Sequence, residues 1–163
     1  MGRDLGRSRA VITRLHVIAV GRLKPGPLAE LQQLYATRIT TPLAIREVEE
    51  RRKLAPGELR EREGALLLAA LPSGALVVAL DREGVPLSSE ELALSLAKWR
   101  ERAAEIAFVI GGAEGLSGAV RAQADFVLSF GPQTWPHFLA RAMLLEQLYR
   151  AQQILAGHPY HRA

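Results

Sequence analysis

Residues 105–117 read EIAFVIGGAEGLS, a short apolar run followed at once by a glycine-rich turn. The run from Ile106 to Ile110 is apolar throughout, as in a strand that is covered on both faces of a sheet. Gly111, Gly112 and Gly115 let the backbone turn sharply and come close to a bound molecule, because glycine has no Cβ. Ligands of open α/β sheets bind at the carboxyl ends of the strands, so this turn is the first candidate site.

Ser117 follows the turn, where its side chain is expected to cap the next helix. No Gly-x-Ser-x-Gly elbow surrounds it, which argues against a nucleophilic serine. The chain also lacks the phosphate-binding Gly-x-x-x-x-Gly-Lys-Ser/Thr run, and the turn lacks the third-position glycine of a dinucleotide fingerprint. A site of backbone and apolar groups suits an adenine-bearing cofactor better than a polyphosphate. Similar turns also occur where nothing binds, so the motif alone leaves ligand binding open.

Strand-like and helix-like patterns alternate along the rest of the chain. The predicted strands are 15–20, 43–48, 75–80, 106–110 and 126–130, and the predicted helices are 28–39, 57–71, 89–102, a short one from Ser117, and 137–156. Within them, Glu58 and Arg62 are expected to pair, Trp99 to lie in the core, and Asp81 to Gly84 to form a turn. This alternation predicts an α/β fold with a mostly parallel sheet and helices on both faces.

The composition fits one globular domain and excludes several kinds of site. The chain has 163 residues, of which 48% are hydrophobic, and it contains no cysteine, which rules out disulfides, thiolate zinc sites and a cysteine nucleophile. The histidines lack the spacing of a zinc protease, so no metal is expected. No apolar stretch has the length of a membrane span, and the amino-terminal residues do not resemble a signal peptide, so we expect a cytoplasmic protein without membrane contact.

The positive charge is concentrated at the start of the chain. The formal net charge is +4 and the pI is near 10.0, but residues 1–24 carry +5, so residues 25–163 sum to −1. Residues 1–14 form a basic leader, either a disordered arm that contacts phosphates or the product of an upstream start codon, and we favour the second. A single domain then spans 15–163. The mixed run from Glu49 to Lys53 is interpreted as a solvated loop, with phosphate contact by its basic half as the alternative.

Three loops are expected to meet at one edge of the sheet, after Leu80, Ile110 and Phe130. The third loop, residues 131–136, contains two prolines and should be stiff. The last predicted helix has apolar side chains around most of its circumference, so it is either central or part of a dimer interface, and we favour the interface. The tail that follows is unusual for a chain end, because residues 157–162 read GHPYHR.

These motifs closely resemble the RlmH (YbeA-like) family of the SPOUT superfamily, from about Leu15 to Arg162. The resemblance rests on the VIAVG start, Leu80 with Asp81, the IGGxEGLS turn at 110–117, residues 144–150 and the closing HPYHR. Ala113 stands where a proline is common in the family. Residues 130–135 differ in detail from its usual Leu-Ser-x-x-Thr run, although Thr134 and the loop length are kept.

The resemblance implies a SPOUT-type (alpha/beta knot) fold with a carboxyl-terminal trefoil knot, which topology rules alone would have excluded. It also implies a homodimer that uses S-adenosyl-L-methionine to methylate N3 of a pseudouridine in 23S (large-subunit) ribosomal RNA. The implied cofactor contacts are Leu80, Gly111, Phe130, Gly131, Pro132, Gln133, Thr134 and Trp135. The candidate catalytic residues are His161, Tyr160 and His137, and the candidate RNA contacts are Arg141, Arg150, His158 and Arg162.

Two other functions remain open at this stage. One is a non-catalytic RNA-binding or ribosome-assembly module on the same fold, for which the basic leader would be the main contact. The other is a binder of small nucleotides, which would bind ATP and ignore S-adenosylmethionine.

Overall fold

Strands and helices alternate throughout residues 12–162, the part of the chain that the computed structural model describes. Their bounds are β1 Arg14–Val20, α1 Pro27–Arg38, β2 Leu43–Val48, α2 Pro56–Ala69, β3 Leu76–Pro86, α3 Ser89–Arg102, β4 Glu105–Ile110, α4 Gly118–Gln123, β5 Phe126–Ser129 and α5 His137–Leu155. The predicted alternation is therefore confirmed. The basic leader falls almost entirely outside the described residues.

The five strands form one sheet in the order β2-β1-β4-β3-β5, and all neighbouring strands are parallel. The sheet prediction is confirmed. Strand β4 is central, and its residues from Ile106 to Ile110 are all buried, as the apolar run indicated. Because all strands run in the same direction, their carboxyl ends share one edge, and the turn after β4 lies at the middle of that edge.

Helices cover both faces of the sheet. On one face α1, α3 and α5 pack over a core that includes Val17 and Phe108, and on the other α2 and α4 pack over Ile18 and Val109. The buried ring of Trp99 lies against Phe108 and Phe126, with ring centroids 6.3 and 5.5 Å away. The core position predicted for Trp99 is confirmed.

Two details of the sequence prediction are wrong. The predicted turn from Asp81 to Gly84 is instead part of β3, which continues to Pro86 after an irregularity in its pairing with β5. Gly84 makes this possible, because a Cβ there would lie 2.5 Å from the carbonyl oxygen of Val127. In addition, Arg62 pairs with Glu50 rather than with Glu58: its Nε donates to Glu50 Oε2 at 2.9 Å.

Candidate active site

A cavity of about 780 Å³ opens at the carboxyl edge of the sheet, over β3, β4 and β5. Leu80, Ile110 and Phe130 all line it, so the predicted convergence of three loops is confirmed. Five of the residues that the family resemblance assigned to the cofactor line it too: Gly111, Gly131, Gln133, Thr134 and Trp135. Pro132 is exposed and lies outside the lining. The contacts of these residues with a cofactor remain a prediction.

The glycine loop, residues 111–115, forms one wall of the cavity, and its first and last residues tolerate only glycine. A Cβ on Gly111 would lie 2.8 Å from the carbonyl oxygen of Gly115, and Gly115 itself has a φ of +77°. Both positions therefore require glycine. Ser117 ends the loop and is buried, and its Oγ accepts a hydrogen bond from the backbone N–H of Val120 at 3.3 Å, which confirms the predicted helix cap.

A buried carboxyl group lies behind the glycine loop. Glu63 of α2 is 7% exposed, and a Cβ on Gly112 would meet its Oε2 at 2.8 Å. Its Oε1 is buried without a hydrogen-bond partner among the described residues. Burial, together with the negative charge of Glu114, raises the pKa of Glu63 above its usual value. The Glu63 carboxyl group is thus buried with one oxygen unpaired, next to the cavity wall.

Polar contacts hold the rim of the cavity in place. Arg121 forms an ion pair with Asp81 at 2.8 Å, and Arg82 Nη1 donates to the hydroxyl of Thr134 at 3.3 Å. The indole N–H of Trp135 donates to the carbonyl oxygen of Phe130 at 3.3 Å. The part of β3 that was predicted as a turn therefore carries one side chain that holds α4 and one that holds the loop at residues 131–136.

His137 is the one candidate catalytic residue that lines the cavity. It begins α5 and is half-buried, with its ring stacked on Phe138 at 4.2 Å between centroids. Burial and the nearby positive charge of Arg141 lower the pKa of His137 below its usual value of 6.5. The imidazole is thus neutral at physiological pH, and a neutral imidazole can accept a proton.

Arg141 does not lie on the surface, which contradicts its predicted contact with phosphate. It is 0% exposed, and its guanidinium donates to Glu47 at 2.5 Å and to the carbonyl oxygens of Val20 and Gly21 at 3.3 and 3.2 Å. The Glu47 carboxylate also accepts from the backbone N–H of Leu23 at 2.8 Å. Arg141 therefore ties α5 to the carboxyl ends of β1 and β2.

The tail of the chain packs against α5 and α3, and none of residues 158–162 lines the cavity. The hydroxyl of Tyr160 donates to Glu146 at 3.1 Å, and His161 contacts Glu90 and Arg150. Burial and Glu146 raise the pKa of Tyr160 to about 12. Within one chain, the structure does not bring Tyr160 and His161 together with His137.

The other three candidate RNA contacts lie at this same end of the molecule. Arg150 is partly buried, forms an ion pair with Glu146 at 2.6 Å, and places its guanidinium 4.8 Å from the centre of the Tyr160 ring. His158 and Arg162 are exposed. Arg150 organises the tail, whereas the other two side chains face solvent.

Known proteins match almost the whole chain. Residues 13–161 match the model of a family described as predicted SPOUT methyltransferase. The chain belongs to the SPOUT methyltransferase family. Its relatives include the ribosomal RNA large subunit methyltransferase H of Rhodospirillum centenum, 57% identical over 92% of this chain and 99% of the relative. The protein of the same name from Paramagnetospirillum magneticum is 52% identical over 91% of this chain and 99% of the relative.

A solved structure supports the SPOUT fold. A probable methylase family protein from Haemophilus influenzae superposes with a TM-score of 0.55 at 13% identity, over 93% of this chain and 72% of that protein. The resemblance recognised from the sequence is thus confirmed at the level of family and fold.

Some features of this SPOUT site were missed in the sequence although a signal was present. Glu63 lies four residues from both Leu59 and Leu67, a spacing that places all three on one face of α2. Neither the partner of Asp81 nor that of Thr134 had a local signal, because both partners come from distant parts of the chain. Within residues 12–162, no cluster of three potential metal ligands occurs, and no helix is long and apolar enough to cross a membrane.

Proposed function

We propose that this protein is an S-adenosyl-L-methionine-dependent methyltransferase that methylates N3 of a pseudouridine in 23S ribosomal RNA. The observation that carries the proposal is a cavity at the carboxyl edge, walled by the glycine loop and residues 130–136, in a chain 57% identical to a ribosomal RNA large subunit methyltransferase. Because its substrate would be ribosomal RNA, we also propose that the protein acts in the cytoplasm.

The cavity fits the proposed cofactor in size and chemistry. Its volume of about 780 Å³ lies within the range of small-molecule sites. Leu80 and Phe130 offer apolar surface, while the backbone of Gly111 and of residues 131–135 offers N–H and C=O groups. Pro132 would act by stiffening the loop, since it does not line the cavity.

When bound, S-adenosylmethionine supplies a methyl group made electrophilic by the sulfonium. The uracil N3 carries a proton, which must leave before this nitrogen can form the new bond to carbon. His137 is the candidate base that lines the cavity in the same chain, and its lowered pKa favours the neutral form that can take that proton. The glycine loop and residues 130–136 would hold the two reacting atoms in line.

We also propose that the active form is a homodimer with a carboxyl-terminal knot. No residue of α1 is buried within one chain. Leu31 and Tyr35 of this helix line a groove of about 530 Å³, together with Leu139 and Met143 of α5. A second copy of the chain would cover this apolar groove. The dimer would also bring the tail of one copy, with Tyr160 and His161, to the cavity of the other.

The proposal is tested by methyl transfer from radiolabelled S-adenosylmethionine to ribosomes and 23S rRNA from a bacterial strain that lacks this methylation. We expect label in 23S rRNA at a single pseudouridine, located by nuclease digestion and mass spectrometry. Sedimentation under the same conditions should give twice the mass of one chain. A folded dimer that binds the cofactor but labels neither substrate would contradict the proposed reaction and favour the non-catalytic module.

A further inference from the structure

Two arginines share one carboxylate in the segment between β2 and α2. Glu50 Oε1 accepts from the backbone N–H and the Nε of Arg52, at 3.1 and 2.9 Å. Glu50 Oε2 accepts from the Nε of Arg62 of α2 at 2.9 Å. The sequence suggested a solvated loop here, with phosphate contact by its basic half as the alternative, and it suggested Glu58 as the partner of Arg62. The three-residue cluster itself is a product of the fold.

The cluster leaves positive charge and hydrogen-bond donors facing solvent. The Glu50 side chain is 8% exposed, whereas those of Arg52 and Arg62 are 66% and 48% exposed. Hydrogen bonds from Arg52, followed by that from Arg62, lower the pKa of Glu50 to about 2, so the carboxylate stays ionised. One negative and two positive charges leave a net charge of +1. The Nη groups of Arg62 have no hydrogen-bond partner within residues 12–162.

The cluster lies at the same carboxyl edge of the sheet as the cofactor cavity. Glu50 is the second residue after β2, which ends at Val48. Arg62 is adjacent in sequence to Glu63, whose carboxyl group touches Gly112 of the cavity wall. Only β1 separates β2 from the central strand β4, so the backbone of an RNA with one base in the cavity would extend toward this side of the sheet edge.

We propose that Arg52 and Arg62, oriented by Glu50, form a clamp that binds a backbone phosphate of the RNA substrate next to the cofactor cavity. The clamp rests on the proposed function in taking RNA as the substrate. Arginine suits this role because its planar, always charged guanidinium binds phosphate oxygens with two parallel hydrogen bonds. Glu50 is a positioning residue: it fixes the Nε side of each arginine and leaves the terminal NH₂ groups of Arg62 for the ligand.

A purely structural role is the competing explanation, and it predicts different behaviour. Ion pairs between exposed groups contribute little to stability. If the two arginines only held the loop in place, removing them would lower the melting temperature slightly and would hardly change RNA binding. A phosphate clamp acts instead on the salt dependence of RNA binding, because each phosphate contact releases bound counterions.

The test is filter binding of a 23S rRNA transcript across a series of KCl concentrations. The parent is compared with R52A/R62A and with Arg102→Ala as a matched control. Arg102 is exposed and ends α3, next to the start of β4 at the opposite edge of the sheet. We expect R52A/R62A to lower the slope of log K against log salt by about one to two and the affinity by about tenfold at 0.1 M salt. The control should match the parent.

Glu50→Gln separates orientation from charge. If only net charge mattered, removing the negative charge of Glu50 would tighten RNA binding. If Glu50 orients the two arginines, the same change should weaken RNA binding. Calorimetry with S-adenosylmethionine serves as the folding control, and all variants should bind the cofactor like the parent. In methylation assays, R52A/R62A should raise KM for ribosomes and leave kcat unchanged.

Two results would overturn the clamp: a salt slope for R52A/R62A equal to that of Arg102→Ala, or no RNA binding by the parent. Failure of the proposed function looks different, because RNA binding would then respond to R52A/R62A while the parent transfers no methyl group.

Discussion

The carboxyl edge of the sheet has two halves with opposite chemistry. Over β3, β4 and β5 lies the half proposed to bind the cofactor, here called the cofactor half, which consists of the glycine loop and residues 130–136 around an open cavity. Over β1 and β2, the charged half consists of residues 21–26 and 49–55, where ion pairs to Arg141 and Arg62 hold the backbone. S-adenosylmethionine, which carries a positive sulfonium, would be held mainly through shape and backbone groups, whereas a polyanion would be held through fixed charges. The two halves meet where Glu63 touches Gly112.

The largest effect is expected from filling the cofactor half. In Gly111→Val, even the first side-chain carbon would lie 2.8 Å from the Gly115 carbonyl oxygen, so the glycine loop must move. We expect S-adenosylmethionine binding to weaken roughly a thousandfold in calorimetric titration, because strain and obstruction act together. Gly118→Val is the matched control, since a Cβ at Gly118 meets nothing within 4 Å. Equal loss in both variants would mean that the cofactor does not bind at this loop.

The second largest effect is expected from removing His137, the candidate base that lines the cavity. His137→Ala should lower kcat for methyl transfer about a hundredfold, the usual contribution of a positioned base, with cofactor affinity kept. Because the pKa of His137 lies below 6.5, the parent should lose activity on the acid side only below that pH. The variant should lack this decline. An unchanged acid limb in His137→Ala, together with its loss in His161→Ala, would assign the proton transfer to the tail.

Replacing the buried arginine of the charged half should lower the stability of the fold and leave cofactor binding unchanged. Arg141→Met removes a fully buried guanidinium and leaves Glu47 and two carbonyl groups without it. We expect a loss of about 3 kcal/mol in the free energy of unfolding, measured by denaturant titration. Arg102→Ala, an exposed position, should change it by less than about 0.5 kcal/mol. A loss no larger than that of the control would mean that these contacts are not needed to hold α5.

The smallest effect concerns the contact between the halves. Because the pKa of Glu63 is raised, the folded state binds this proton more tightly than the unfolded state, and stability falls as pH rises above the usual value of 4.5. Glu63→Gln removes that penalty. Its melting temperature should exceed the parent's by a few degrees at pH 8 and match it at pH 4. Glu58→Gln, at an exposed position of the same helix, should show no such difference.

The parts of the structure that were predictable depend on local patterns. The apolar runs predicted the strands, and the position of Ser117 after the glycine turn predicted the cap that it forms on α4. The convergence of three loops followed from parallel strands alone. The position of the cavity and its glycine loop could therefore be predicted from the sequence, whereas the polar contacts of its rim could not.

The charged half was harder to predict because its contacts join distant residues. The spacing rule pairs Arg62 with Glu58, but Glu50 lies closer once α2 packs against β2. Arg141 was read as a surface residue, although it is three, four and seven residues from the buried Leu144, Leu145 and Leu148. The same reason applies to one element of the cofactor half: the extension of β3 depends on its pairing with β5, a strand forty residues later.

The chain's two tryptophans differ in their surroundings, and this provides an optical signal without any label. Trp135 lies at the cavity rim, 39% exposed, whereas Trp99 is 6% exposed in the core. A molecule entering the cavity removes water from the indole of Trp135 and shifts its fluorescence emission, while Trp99 serves as an internal reference. Trp135→Phe would abolish this shift in fluorescence emission. Stopped-flow mixing could then time the filling of the cavity separately from methyl transfer.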